Sequence, residues 1–491
     1  MGKLRTLTVF VLFASAGACE AFRLSSLSAI SNSDVWWHLS SGLWILQSHA
    51  LPHTGLFSQS SGFPWIASSW AYDLLLALGY KWFGLRSLPL LLMCLRTALA
   101  LLTFLLAGGL RGRFWPAVAL SAVAQFVLGS GQPGPAYFSI LCFGIELLLL
   151  FESRRKGSVR PLWWLPPLFL LWANLEVQFV VGIALLLLFL VALAVQRYVE
   201  RTTEPMPTSA AANFLALNRV GMIAGLSLLA TLITPYFYRP YGVYFSRTFN
   251  SANQYLIDFH APGFRQPQDY ILLLLAMSAF LALGLRRSRD LFQIALLSGS
   301  IVLSFYSQRD EWMITLAALA VIGEAIPSGS ATESPEAVEL KSKREVLLAL
   351  SGTLLVLIFV FVLRVPRNRE ILLAKASQSY PVAACDYIRD HRLPQPLFNA
   401  YQWGGFLTWY LPDYPVAIDG RTDLYGADVI TNYSKAMNAE IPYTAYPAMA
   451  GAQTILLPKS AIMAGALGSL PIFKKVYDDD LAIVLVRSNP Q

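Results

Sequence analysis

The sequence predicts an α-helical polytopic membrane protein of about eleven spans, followed by a small C-terminal extracytoplasmic α/β domain. Three observations carry this prediction. Of 491 residues, 56% are hydrophobic and only 13% charged, whereas an ordinary soluble domain carries about a quarter charged residues. The apolar residues fall into blocks of roughly 15–22, near the length that crosses hydrocarbon, and mean hydropathy is +0.52. Lys and Arg gather at the ends of those blocks, where the positive-inside rule expects them. That clustering also argues against nucleic acid as the partner implied by the formal net charge of +8.

The elements follow in order. Met1–Arg5 is basic and Leu7–Ala18 apolar, and Ala16-Gly17-Ala18-Cys19 is similar to a signal or lipoprotein cleavage site. The reading adopted is an uncleaved first span, Leu7–Leu24. Further spans are expected at Leu88–Gly109, Trp115–Gly131, Ala136–Phe151, Pro161–Leu175, Gln178–Gln196, Val220–Phe237, Tyr270–Leu285, Leu291–Tyr306, Glu311–Ile326 and Val346–Leu363. Lys3 and Arg5 place the N-terminus in the cytoplasm. Arg111 with Arg113, Arg154–Lys156 with Arg160, Arg197 with Arg201, Arg286–Arg289, and Lys341–Arg344 mark further cytoplasmic loops.

These markers agree only if Trp70–Phe83 does not cross. The block is short and holds Asp73 and Lys81, so it reads as an interfacial or re-entrant helix. An odd number of crossings then puts the tail outside. One external loop runs against the rule, carrying Arg239, Arg247 and Arg265. The expected organisation is a membrane domain over 1–363, with a first extracytoplasmic loop at 25–87 and a cytoplasmic linker at 327–345, then an external domain over 364–491. Two stretches, Glu200–Asn218 and Ser328–Arg344, are polar connections rich in Ser, Thr, Pro and Glu.

In the C-terminal domain, Tyr380–His391 reads as an amphipathic helix and Pro396–Asn399 as a short strand. Pro415–Ile418 and Thr454–Leu457 read as buried strands. Lys475–Tyr477 and Leu481–Val486 flank the acidic turn Asp478-Asp479-Asp480, a hairpin signal. The four cysteines, Cys19, Cys94, Cys142 and Cys385, have no metal-site spacing, and packing is their default role.

The richest segment is the first loop, which contains Asp34, Trp36, Trp37 and His38. Indoles favour the water–lipid boundary, and a carboxylate beside apolar rings can have a raised pKa that suits a general base. The alternative is that Asp34 caps a helix beginning at Val35 while the tryptophans form a membrane belt. The pattern Asp34-Val35-Trp36-Trp37-His38-Leu39-Ser40-Ser41-Gly42, followed by Trp65-Ile66-Ala67-Ser68-Ser69-Trp70, resembles the C-type glycosyltransferase (GT-C) superfamily, in particular a bacterial membrane-protein group within it. The resemblance implies a GT-C-like membrane fold and a polyprenyl-phosphate sugar donor. It also implies an acidic catalytic residue in the first external loop, at Asp34. Many relatives pair that acid with a second one, but Ser33 and Val35 flank Asp34 here. Glu176 stands where relatives are expected to show His.

Other candidates come from the residues alone. Asn174, Glu176 and Gln178 occupy the tip between two spans, where an ionisable group is a functional candidate or part of a solvated turn. Glu146, inside an apolar block, is expected to pair with a neighbouring helix. Asp258 and His260 could serve acid–base chemistry or ligate a divalent ion; two ligands do not make a metal site, so no cofactor is established. Arg309 could grip a phosphate bidentately or pair with Asp310 or Glu311. Trp403, Gly404, Gly405, Asp419, Arg421, Asp423 and Tyr425 lie in one dense segment. It reads either as a sugar- or peptide-binding surface or as a turn held by an Asp–Arg pair. Walker A, G-x-S-x-G, H-E-x-x-H and zinc spacings do not occur.

The expected function is transfer of a sugar from a polyprenyl-phosphate donor to an extracytoplasmic glycan, lipid or protein, at the cell inner membrane. Asp34 would be the base, and Arg309 or the Arg239–Arg265 loop would hold phosphate. The alternative is a non-catalytic GT-C-like scaffold that binds partners through its external domain.

Overall fold

The computed structural model describes residues 2–23, 33–129, 134–203, 216–327 and 335–488. The expected span ends at Leu24 and Gly131, residues 25–32 of the first loop, residues 204–215 of the first polar linker and residues 328–334 of the second lie outside the described residues.

Helices α1 (Gly2–Arg23), α2 (Ser33–Ser48), α3 (Trp70–Phe83), α4 (Ser87–Leu106), α5 (Phe114–Leu128), α6 (Ala136–Lys156) and α7 (Leu165–Leu175) come first. They are followed by α8 (Phe179–Thr203), α9 (Leu217–Thr231), α10 (Arg239–Thr248), α11 (Pro267–Leu285), α12 (Leu291–Tyr306), α13 (Trp312–Ala325) and α14 (Pro335–Arg364). Among the described residues, six helical stretches are long and apolar enough to cross a membrane: Gly2–Cys19, Trp70–Leu106, Ala136–Lys156, Phe179–Val199, Pro267–Leu285 and Lys341–Arg364. Phe114–Leu128, Leu217–Thr231 and Leu291–Tyr306 are shorter apolar helices.

Local chemistry sets the helix ends. α6 stops at left-handed Gly157 after Arg154, Arg155 and Lys156, where cations suit the negative end of the dipole. α11 opens with Pro267 and a reciprocal capping box between Gln266 and Asp269. Arg96, buried in α4, donates to the carbonyls of Leu128 (2.7 Å) and Gly129 (3.1 Å), satisfying the end of α5. At one end of the bundle Arg111 binds Glu324, and Arg154 reaches Asp290 at 2.7 Å. These contacts tie the basic loop after α4 to the end of α13, and the basic end of α6 to the loop after α11. Glu146 departs from expectation. It is fully buried in α6, yet neither carboxyl oxygen bonds to any described residue.

The C-terminal domain contains α15 (Arg369–Ala376), α16 (Val382–Asp390), β1 (Leu397–Asn399), α17 (Tyr401–Tyr410), α18 (Thr422–Met437) and α19 (Pro447–Ala450). It ends with β2 (Thr454–Pro458), α20 (Ile462–Gly468), β3 (Phe473–Asp478) and β4 (Ala482–Arg487). The sheet order is β1-β2-β4-β3, with β1 parallel to β2 and the other pairs antiparallel. Val484 and Leu485 in the centre of the sheet are fully buried.

Pro415–Ile418 differs from its predicted strand. Val416 forms only a single bridge, to Ser58 of the first loop, because its backbone partners are Phe57 and Gln59 rather than a neighbouring sheet strand. One apolar core runs from the C-terminal sheet through Trp403, Phe406 and Ile418 to Trp36, Trp65, Tyr72 and Leu76 of α2, α3 and their connection. The first loop and the C-terminal domain are therefore packed as one body. Gly405 makes this possible: a β-carbon there would stand 2.1 Å from the Ser33 carbonyl oxygen, so α17 meets the start of α2 only through a glycine.

Candidate functional site

Asp34 lies in the first turn of α2, which begins one residue before it. It is thus a first-turn acid rather than the cap, and the positive helix end favours its charge. Trp37 Nε1 donates to its Oδ1 at 3.2 Å. Burial raises the Asp34 carboxyl above its ordinary 3.8, opposed by His38, Arg247 and the Trp37 hydrogen bond, and reinforced by Asp419. The C-terminal domain closes over this acid at Gly420, where an added β-carbon would lie 1.9 Å from Asp34 Oδ1.

On the membrane side, the turn after α7 carries Glu176, which is buried. Ser69 donates to its Oε2 at 3.1 Å, and Arg309 Nη2 stands 3.5 Å from its Oε1. That pairing excludes a solvated turn and replaces the expected partners Asp310 and Glu311. Asp310 instead accepts from Gln178 at 2.8 Å. Arg309 also packs over the Phe259 ring at 5.4 Å.

α10 supplies Arg247. Burial alone would lower this guanidinium, but the fields of Glu176, Asp423 and Asp34 outweigh it and raise the pKa. Its buried Nε has no hydrogen-bond partner among the described residues. Arg247, Arg309, Gln178, Tyr244, Thr248 and Ser307 help line a narrow cleft.

α18 of the C-terminal domain packs against α10 and brings polar groups of its own. Arg421 grips Asp419 through Nε (3.0 and 3.1 Å) and Nη2 (2.6 Å), with both side chains buried. The Arg421 guanidinium covers the Trp65 ring at 4.9 Å. Trp65 in turn donates to Asp423 Oδ2 at 3.1 Å. Burial raises the Asp423 carboxyl against the pull of Arg247. Tyr401, at the start of α17, has its phenol raised by burial and by the nearby Asp34 and Asp419.

Several expectations require correction. Trp36 is not at the lipid boundary; it is wholly buried, stacked on Trp409 at 4.7 Å and edge-on to Phe406 at 5.2 Å. Trp37 is buried beside Trp65. His38 does not reach a cleft: its Nδ1 lies 2.5 Å from Asp73 Oδ1, and burial pushes the imidazole towards its neutral form. Trp403, Asp419 and Arg421 are buried, so they are not an open binding surface. Trp403 Nε1 is bonded to the Ser379 carbonyl at 3.0 Å. The physical reason is shared: the C-terminal domain folds onto the first loop and covers these aromatics.

Asp258 and His260 are exposed, and His260 Nε2 is within 2.8 Å of the Gln254 carbonyl. Among the described residues, no group of three or more His, Cys, Asp or Glu is placed to hold a metal. Sequence reasoning missed Asp73, Tyr401 and the individual role of Arg247. The last had one signal, since Arg247 belongs to the loop that violates the charge rule.

No family model and no curated protein matches this chain. Among solved structures it is similar to ArnT from Cupriavidus metallidurans in the apo state, at 15% identity and a TM-score of 0.43, over 93% of this chain and 94% of that one. It is also similar to ArnT from Cupriavidus metallidurans bound to undecaprenyl phosphate, at 14% identity and a TM-score of 0.45, over 98% and 99% of the two chains.

Proposed function

We propose that this chain is a membrane glycosyltransferase of the GT-C type, moving a sugar from a polyprenyl-phosphate donor to an acceptor outside the cytoplasm. The observation that carries the reading is the placement of a part-buried carboxylate, Asp34, in the same electrostatic neighbourhood as Arg247 and the Glu176–Arg309 pair. Inverting transfer needs such a combination. Asp34 takes the proton of the acceptor hydroxyl, whose oxygen attacks the anomeric carbon. The bond from that carbon to phosphate oxygen breaks, and polyprenyl phosphate leaves with the electron pair. Arg247 and Arg309 stabilise the departing anion with charge-assisted hydrogen bonds.

The test uses purified full-length protein in nanodiscs with undecaprenyl phosphate as the binding probe, and membranes holding native lipid-linked sugars as the donor source. Asp34→Asn should bind undecaprenyl phosphate like the parent protein but release it from the membrane donors about 10²–10⁴-fold more slowly. Unchanged release by Asp34→Asn ends this mechanism, and failure of the parent protein to bind the probe ends the choice of donor class.

A further inference from the structure

α10 has two faces of opposite character. Tyr238, Gly242, Phe245 and Phe249 are exposed at intervals of three and four residues, with Arg239 and Ser246 beside them. Pro240 and Val243 are buried on the other side. Such spacing makes one continuous stripe on a helix. Phe245 and Phe249 are 50% and 72% exposed, and their rings lie parallel 6.4 Å apart. An exposed aromatic ridge of this kind marks an interaction surface.

The chain's own connections choose the partner. Residues 232–238 join α10 to α9, and at ~3.6 Å per residue they extend no further than about 25 Å. α9 exposes Leu229, and the connection itself exposes Ile233. Downstream, α11 exposes Leu274, Met277 and Leu281. The aromatic stripe thus lies on a short tether between helices whose outward faces are aliphatic. Arg239, exposed on the same side, can reach phospholipid headgroups while its stem stays on the apolar surface.

We propose that α10 lies in the outer leaflet of the bilayer, with Phe245 and Phe249 inserted at the boundary between headgroups and acyl chains. Arg247, two residues from Phe245 and so on the opposite side of the helix, lines the cleft and lies within the fields of Glu176, Asp423 and Asp34. The helix therefore places the cleft lined by Tyr244, Arg247 and Thr248 at headgroup depth. Resting on the transfer reading above, a lipid phosphate would reach Arg247 by sideways movement within the leaflet.

The experiment attaches an environment-sensitive fluorophore at Phe249→Cys or Ser246→Cys of the full-length protein, with exposed Cys19 and Cys94 replaced by Ser. Lys474→Cys, exposed on β3, is the aqueous control. In nanodiscs of dibrominated phosphatidylcholine, emission from positions 249 and 246 should fall to roughly half its value in unbrominated lipid, while position 474 stays unchanged. Quenching at both positions no stronger than at 474 overturns the proposal. So does a blue-shifted emission that bromine leaves untouched, which would mean that protein, including a second copy of the chain, covers the ridge. Undecaprenyl phosphate binding is measured in the same nanodiscs: its absence alongside normal quenching removes the transfer reading and leaves the helix seated in lipid.

Discussion

Gly420 lies so near Asp34 that a β-carbon on it would stand 1.9 Å from Asp34 Oδ1, so the proposed catalytic acid is covered by a backbone turn from the opposite end of the chain. No side chain fits between them. The acid's environment is therefore built by two segments separated by most of the sequence.

Gly420→Ala should be disruptive although it adds one methyl group. A β-carbon 1.9 Å from a carboxylate oxygen forces one backbone to move, a change that costs about 1–3 kcal/mol in packed interiors. The expected result is a lower unfolding temperature in detergent together with reduced transfer. Unchanged stability and activity would show that the turn does not press on Asp34.

The pH dependence has a definite sign. Asp34 acts as a base only when ionised, and burial raises its pKa above 3.8. Transfer should be lost as pH falls through that raised value, so the acid limb of the rate profile should lie above the ordinary Asp range. A limb at or below the ordinary range would mean that another group is the base. Asp34→Asn should lower the rate by about 10²–10⁴-fold.

Asp419 and Arg421 form a fully buried ion pair that supports Trp65. Removing one partner strands the other charge, so Arg421→Met or Asp419→Leu alone should cost about 3–5 kcal/mol. The double substitution should recover much of that loss. Thermal unfolding and limited proteolysis of the four proteins would check it, and simple additivity of the two single effects would count against a mutually compensated pair.

Trp36→Ala separates core packing from a place in a membrane belt. Truncating a buried tryptophan costs about 3–5 kcal/mol, and Trp36 is fully enclosed by Trp409, Phe406 and Tyr380. Stability should drop while the affinity of the folded fraction for undecaprenyl phosphate holds. Selective loss of lipid affinity at full stability would restore a membrane-facing role.

Arg247→Ala and Arg309→Ala should each weaken undecaprenyl phosphate binding by about tenfold or more, as hydrogen bonds to charged groups contribute about 1.5–3 kcal/mol. Titration in nanodiscs would measure it. Glu176→Gln should not weaken binding, because it removes a carboxylate that competes for Arg309.

The sequence by itself determined the helical membrane class and the C-terminal hairpin, and it singled out Asp34. Each rests on short-range signals: apolar runs match bilayer thickness, strand alternation ends at an acidic turn, and an acid precedes paired tryptophans. Tertiary structure alone decided what surrounds that acid. Trp36 read as a boundary group, and the segment holding Trp403, Asp419 and Arg421 as either a binding surface or a turn held by an Asp–Arg pair, because local sequence does not say which segments will cover them. Gly405 and Gly420 let the C-terminal domain approach α2 at backbone distance, and that approach buries the aromatics and the ion pair. Arg247 was obscured for the same reason. Its meaning depends on Glu176, Asp423 and Asp34, which come from three other segments and meet it only in the folded chain.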